Sequence, residues 1–125
     1  MTLQNAPITA NLPAVDLARA KKFYIDILGL QVKGEDMPGV LLLAAGNGTD
    51  LLLYQREATK ADHTAASFEV GDIKNVIAEL KGKGVVFEEY NDPDFKTVDS
   101  IATMGTMQVA WFKDTEGNIL CLHQH

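Results

Sequence analysis

The stretch Trp111 to His123, WFKDTEGNILCLH, decides how this chain is read. Two short apolar runs, Val109 to Phe112 and Ile119 to Leu122, flank Asp114, Thr115, Glu116, Gly117 and Asn118. Apolar runs separated by such residues predict a β-hairpin. Gly117 takes a positive φ without steric cost, Asn118 tolerates one, and the Asp114 side chain can hydrogen-bond the backbone two residues on. The turn itself accounts for these polar residues.

Outward from the hairpin, the chain alternates strand and helix signals. Ile8 to Ala14 reads as a strand, with Pro13 placing it at an edge or marking its end. Asp16 is a good helix N-cap, and Leu17, Ala20, Tyr24, Ile27 and Leu28 recur at helical spacing up to Gly29. Leu30 to Glu35, Val40 to Ala45 and Asp50 to Gln55 read as strands, separated by turns at Met37 to Gly39 and Gly46 to Gly48. After a polar connection, Arg56 to Asp62, the pattern begins again. Thr64 to Val70 predicts a strand, Asp72 a second N-cap, and Ile73, Val76, Ile77 and Leu80 the buried stripe of a second helix. Val85 to Tyr90 predicts a strand and Asn91 to Asp99 a loop, before strands at Ser100 to Met104, Met107 to Lys113 and Ile119 to His123. The halves repeat one β-α-β-β-β pattern at an offset of about 56 residues.

With 125 residues, 46% of them hydrophobic, the chain can bury a core as one domain. No window reaches the length of a membrane span, and MTLQNAPITANL lacks the basic and apolar blocks of a signal peptide, so a cytoplasmic protein is expected. A single cysteine, Cys121, agrees with a reducing compartment. The 17 acidic residues outweigh 11 basic ones, giving a formal charge of −6 and no basic cluster, which argues against nucleic acid and anionic membranes as partners.

The closing hairpin resembles that of the vicinal oxygen chelate superfamily, the glyoxalase, bleomycin-resistance and ring-cleaving dioxygenase group. There an aspartate, an acidic residue and Gly-Asn precede a strand reading apolar, glutamate, apolar. A second match lies at Asn11 to Leu17, NLPAVDL, followed by Phe23, Tyr24, Leu28 and Gly29. The resemblance implies an α+β fold in which two paired β-α-β-β-β modules form a curved mixed sheet around a cavity. The modules span about residues 7–56 and 63–123 of a single domain, 1–125. Members commonly pair their sheets, so a homodimer is expected, with the cavity inside one chain or shared between two.

The resemblance also implies one divalent ion, held by His, Glu or Gln side chains from four strands with positions left open for substrate oxygens. Carried over by register from Asp16 and Asp72, the ligand positions fall near Thr9 and Ala65 on the first strands, near Leu52, and at Cys121 where the family has glutamate. None offers an imidazole or a carboxylate, so no cofactor is expected. The alternative is one divalent metal ion held by His63, Cys121 and His123. His63 and His123 each lie two residues from a carried-over position, hence on the same strand face, and a thiolate with two imidazoles suits zinc. Cys121 beside either histidine would also pair a nucleophile with a base.

Without a metal, the cavity remains a small-molecule site, apolar with a few polar groups. Asn11, Leu52, Tyr54, His63, Trp111 and Cys121 are the expected ligand-binding residues. Core packing accounts equally well for Trp111 and Tyr54, and a backbone hydrogen bond for Asn11. Met37, Met104 and Met107 would border the cavity, and the loop 91–99 would gate it. The reading favours a metal-free small-molecule binding protein for a largely apolar or aromatic ligand. A metal-dependent lyase, isomerase or dioxygenase with shifted ligands is the alternative, and a subunit whose sheet binds a partner protein is a third.

Overall fold

The computed structural model describes residues 3–35 and 37–125. The chain forms two compact units, Met1–Lys60 and Ala61–His125. Each is a β-α-β-β-β arrangement with a four-stranded mixed sheet, so the architecture is α+β as expected.

In the first unit, β1 (Thr9–Ala14) is followed by the helix α1 (Leu17–Lys22), which runs on into a π-helical stretch, Phe23–Ile27. The Asp16 carboxylate accepts the Arg19 amide at 3.0 Å, satisfying one of the free donors at the helix start. Gly29, at φ +81°, lets the chain leave the helix, and the Leu30 amide returns to the Tyr24 carbonyl. Strands β2 (Gln31–Gly34), β3 (Val40–Ala44) and β4 (Asp50–Gln55) complete the sheet in the order β1-β4-β3-β2. β1 runs parallel to β4, and the other pairs are antiparallel. Pro13 lies on the edge strand, where its missing amide costs no ladder bond. Alternate residues of the strands, Leu12, Ala14, Leu41, Leu43, Leu51 and Leu53, are buried together with Ala20, Phe23 and Tyr24 of the helix. The intervening residues form the face turned away from the helix.

The second unit repeats this plan with β5 (Thr64–Glu69) and α2 (Ile73–Gly82). Asp72 caps α2 through the Asn75 amide, and the Ile73 amide donates to Gln124 Oε1 at 2.7 Å, tying the helix start to the final strand. Two very short strands, β6 (Asn91–Asp92) and β7 (Phe95–Lys96), form a small hairpin of their own. β8 (Ala102–Met104), β9 (Met107–Lys113) and β10 (Ile119–Gln124) join β5 in the order β5-β10-β9-β8. On the helix side Leu120 and Leu122 pair with Phe112 and Ala110, and all four are buried against Ile73, Ile77 and Leu80.

The expected strand Val85 to Tyr90 is reduced to one bridge, Phe87 to Phe112, with the Glu88 amide on the Trp111 carbonyl. Competing partners explain its end. The Tyr90 amide goes to Thr97 Oγ1 and its carbonyl to the Thr97 amide, which draws the chain away from β9. The expected loop 91–99 is therefore partly ordered as the β6-β7 hairpin. It is followed by a tight turn in which Asp99 and Ser100 both have positive φ (51° and 73°) between the paired Val98 and Ile101. Such backbone is strained for residues with a Cβ, and the Glu89 carboxylate holds it by accepting from the Ser100 amide, the Ser100 hydroxyl and Thr97 Oγ1.

The β9-β10 turn is built on a buried polar cluster. Asp114 Oδ1 accepts the Glu116 and Asn118 amides, and Oδ2 accepts Asn118 Nδ2, all at 2.8 Å. Asp114 and Asn118 are only 7% and 2% exposed, so these donors have no ready substitute in water.

Two outcomes are expected. Asp114→Ala strands a buried amide and a buried side-chain NH2 and should lower unfolding free energy by about 2–4 kcal/mol in urea, at unchanged m. Asp114→Asn, which keeps one acceptor, should lose less. Glu89 has its carboxyl held below the usual 4.5, first by the Thr97 hydroxyl and then by Ser100. A depressed folded pKa stabilises above the unfolded value and is lost as pH falls through the folded one. Amide-exchange protection at Ser100 should thus hold at neutral pH and drop on acidification below 4.5. Equal protection throughout would refute this role for Glu89.

Candidate functional site

Each sheet presents one face away from its own helix, and the strand registers line up the residues on it. In the first unit Asn11, Leu52 and Leu42 form one row, and Pro13, Tyr54 and Val40 the next. Asn11 is exposed, while Leu52 and Tyr54 are half-buried. In the second unit the corresponding rows are Ser67, Cys121 and Trp111, then Glu69, His123 and Val109. Five of the six expected ligand-binding residues thus lie on the faces that strand parity assigned. His63 does not. It sits in an exposed bend before β5, beside Asp62 at 3.8 Å.

The second unit's face has an aromatic end and a polar end. Trp111 packs against Tyr90 and Phe95 with ring centroids 5.7 and 5.3 Å away, and Tyr90 and Phe95 are themselves 5.2 Å apart. The segment 85–101 delivers the last two rings. All three are half-buried, and the indole nitrogen donates to Thr64 Oγ1 at 3.2 Å. Burial, followed by the Glu88 charge, pushes the Tyr90 phenol up, so it stays a neutral hydroxyl. Met104 and Met107 pair with each other beside this face, Met104 exposed and Met107 half-buried, whereas Met37, in the first unit, is exposed.

At the polar end, Ser67 Oγ shares a hydrogen bond with His123 Nδ1, and His123 Nε2 lies 3.7 Å from Glu69 Oε1. Ser67 and Glu69 were not singled out in the sequence. Strand pairing finds them: Ser67 is the partner of Cys121 and Glu69 that of His123, as Asn11 is the partner of Leu52 in the first unit. Cys121 is buried, and burial pushes its thiol up, against opposing hydrogen bonds from Ser67 and the Ala110 backbone. A thiol so placed is a poor nucleophile and a poor metal ligand, because both roles need the thiolate.

The family's divalent ion does not fit the positions carried over to this chain. Thr9 and Leu52 in the first unit, and Ala65 and Cys121 in the second, provide a hydroxyl, two alkyl groups and a protonated thiol. The set His63, Cys121 and His123 is not gathered either. His63 precedes Thr64, which pairs with Ile119, while His123 pairs with Glu69 at the far end of β5, so the run from Ile119 to His123 alone, roughly 13 Å, separates them. No chemical step is derived through such an ion.

On the helix side of the same unit, a cavity of about 650 Å³ lies between α2 and the segment 96–108, with Lys74, Lys81 and Lys96 around apolar Ile77, Val98 and Ile101. It is separate from the aromatic face.

Several solved structures share this fold. UcmS2 superposes with a TM-score of 0.74 at 17% identity, covering 96% of this chain and 98% of that one. TnmS3, an antibiotic binding protein from Streptomyces sp. CB03234, gives 0.69 at 23%, covering 96% and 95%. The oxidase ChaP-H2 gives 0.72 at 23%, covering 100% and 95%. No protein of curated function matches the chain by sequence. The profile of the Glyoxalase/Bleomycin resistance protein/Dioxygenase superfamily matches residues 7–122. With the repeated β-α-β-β-β units and that match over nearly its whole length, the chain belongs to the glyoxalase/bleomycin resistance protein/dioxygenase superfamily.

Proposed function

We propose that this protein binds a small, largely apolar or aromatic molecule, without a metal ion at the family's position, and that residues 1–125 work as one domain. The observation that carries the reading is the cluster of Trp111, Tyr90 and Phe95, three half-buried rings in mutual contact on a face that its own helix does not cover. Aromatic rings in contact with one another but not fully buried offer stacking surface, and Ser67 and His123 supply the few polar groups that orient a ligand. Asn11, Leu52, Tyr54 and Cys121 belong to the same reading as lining residues, and His63 as an outlying one. Among the proteins of this fold, TnmS3 is an antibiotic binding protein, which agrees with a binding role. The metal-dependent lyase, isomerase or dioxygenase reading draws no support from the carried-over ligand positions. A homodimer in the cytoplasm completes the proposal.

Trp111 is the only tryptophan, so its fluorescence reports directly on the site. Titration with a panel of planar aromatic compounds should quench or shift the emission for at least one. Trp111→Ala should then weaken that compound about tenfold, measured by calorimetry, with the circular dichroism of the fold retained. Undiminished affinity in the variant would remove the aromatic cluster from the site. Cys121 should stay unreactive towards a disulfide reagent at pH 7 in the folded protein and react fully in denaturant. Fast labelling of the native state would instead reopen thiol chemistry.

A further inference from the structure

We infer that the second unit holds a divalent transition-metal ion of the zinc type through Glu69, His123 and His125, one row along the strands from the position where the family's ligand falls. The donor atoms of these three side chains lie within 4.8 Å of one another. Strand geometry brings them together. Parallel pairing sets Glu69 beside His123, and His125 follows two residues on, just past the end of β10. The rings of His123 and His125 meet edge to face at 5.6 Å.

His123 is held as a metal-binding imidazole is held. Its Nδ1 is engaged by Ser67 Oγ, which leaves Nε2 directed at Glu69 Oε1, 3.7 Å away. Metal-ligating histidines use their second nitrogen in this way, to fix tautomer and ring orientation. The strand end is also anchored, since the Val70 amide donates to the His123 carbonyl. A tetrahedral ion with bonds of about 2.0–2.2 Å needs its donors roughly 3.4 Å apart. Glu69 and His125 are both exposed, so rotations of their side chains close the remaining distance without moving the backbone. Two imidazoles and one carboxylate suit zinc and its neighbours and leave at least one position for water or a ligand atom. The Cys121 thiol, one row away and protonated, stays out of the coordination.

The inference does not depend on the aromatic ligand, and the test needs only the metal. Chelator-treated protein is titrated calorimetrically with Zn2+, and separately with Co2+ while visible absorption is followed. One ion per chain is expected. Glu69→Gln and His125→Ala should each lower affinity by at least tenfold, and Ser67→Ala by about tenfold through the orientation of His123. His63→Ala and Cys121→Ala should leave it unchanged, and the cobalt spectrum should lack a thiolate charge-transfer band. Binding that survives both Glu69→Gln and His125→Ala, binding lost in His63→Ala or Cys121→Ala, or zinc uptake only at millimolar concentration would each overturn the assignment.

Discussion

The closed turn between β9 and β10 governs the second unit, because it sets the register of the hairpin on which both faces of the sheet depend. Asp114 gathers two backbone amides and the Asn118 side chain. With Gly117 at φ +86°, only one pairing of Trp111 with Cys121 is then compatible with the turn. A slip of one residue would turn Leu120, Leu122, Ala110 and Phe112 out of the core and put Cys121 and Trp111 in their place. The hydrophobic pattern resists the slip on the helix side, and the polar cluster resists it at the turn. The two constraints agree, which is what a sequence specifying one structure requires.

That agreement explains why most of the fold was legible. Alternation in Leu41 to Leu43 and Leu51 to Leu53, the helical stripe through Ile73, Ile77 and Leu80, and the capping aspartates are local signals, and tertiary packing reinforces each of them. Legibility failed where a side chain outbid the sheet for backbone hydrogen bonds. Val85 to Tyr90 has strand composition, yet Thr97 takes both backbone groups of Tyr90, and Glu89 anchors the turn at Ser100. Those partners are distant in sequence and polar, so periodicity carries no trace of them.

The placement of the candidate residues was legible in the same graded way. Strand parity placed Trp111, Cys121, Leu52, Tyr54 and Asn11 on the faces turned from the helices, because parity survives as long as the strand is regular. It failed for His63, which stands outside β5, and for Ala65, because Ser67 is the residue that pairs with Cys121. The rings of Tyr90 and Phe95 come from the diverted segment, so the sequence showed Phe95 in a loop but not its contact with Trp111. Ser67 and Glu69 stayed invisible until a register existed to set them beside Cys121 and His123.

The two rows of the second unit divide the chemistry between them. Cys121 sits where burial suppresses the thiolate, so that row is closed to ions and favours apolar contact with the neighbouring Trp111. One step further, burial relaxes, and an imidazole and a carboxylate face each other near solvent at much lower desolvation cost. Along β10 the side chains of this face thus change with burial: Cys121 is buried with its thiol protonated, whereas His123 is half-buried beside the exposed Glu69. In the proposed binding mode a flat apolar ligand would lie against Trp111 with its polar substituents towards Ser67 and His123, the orientation that leaves the polar groups of both ligand and protein hydrogen-bonded.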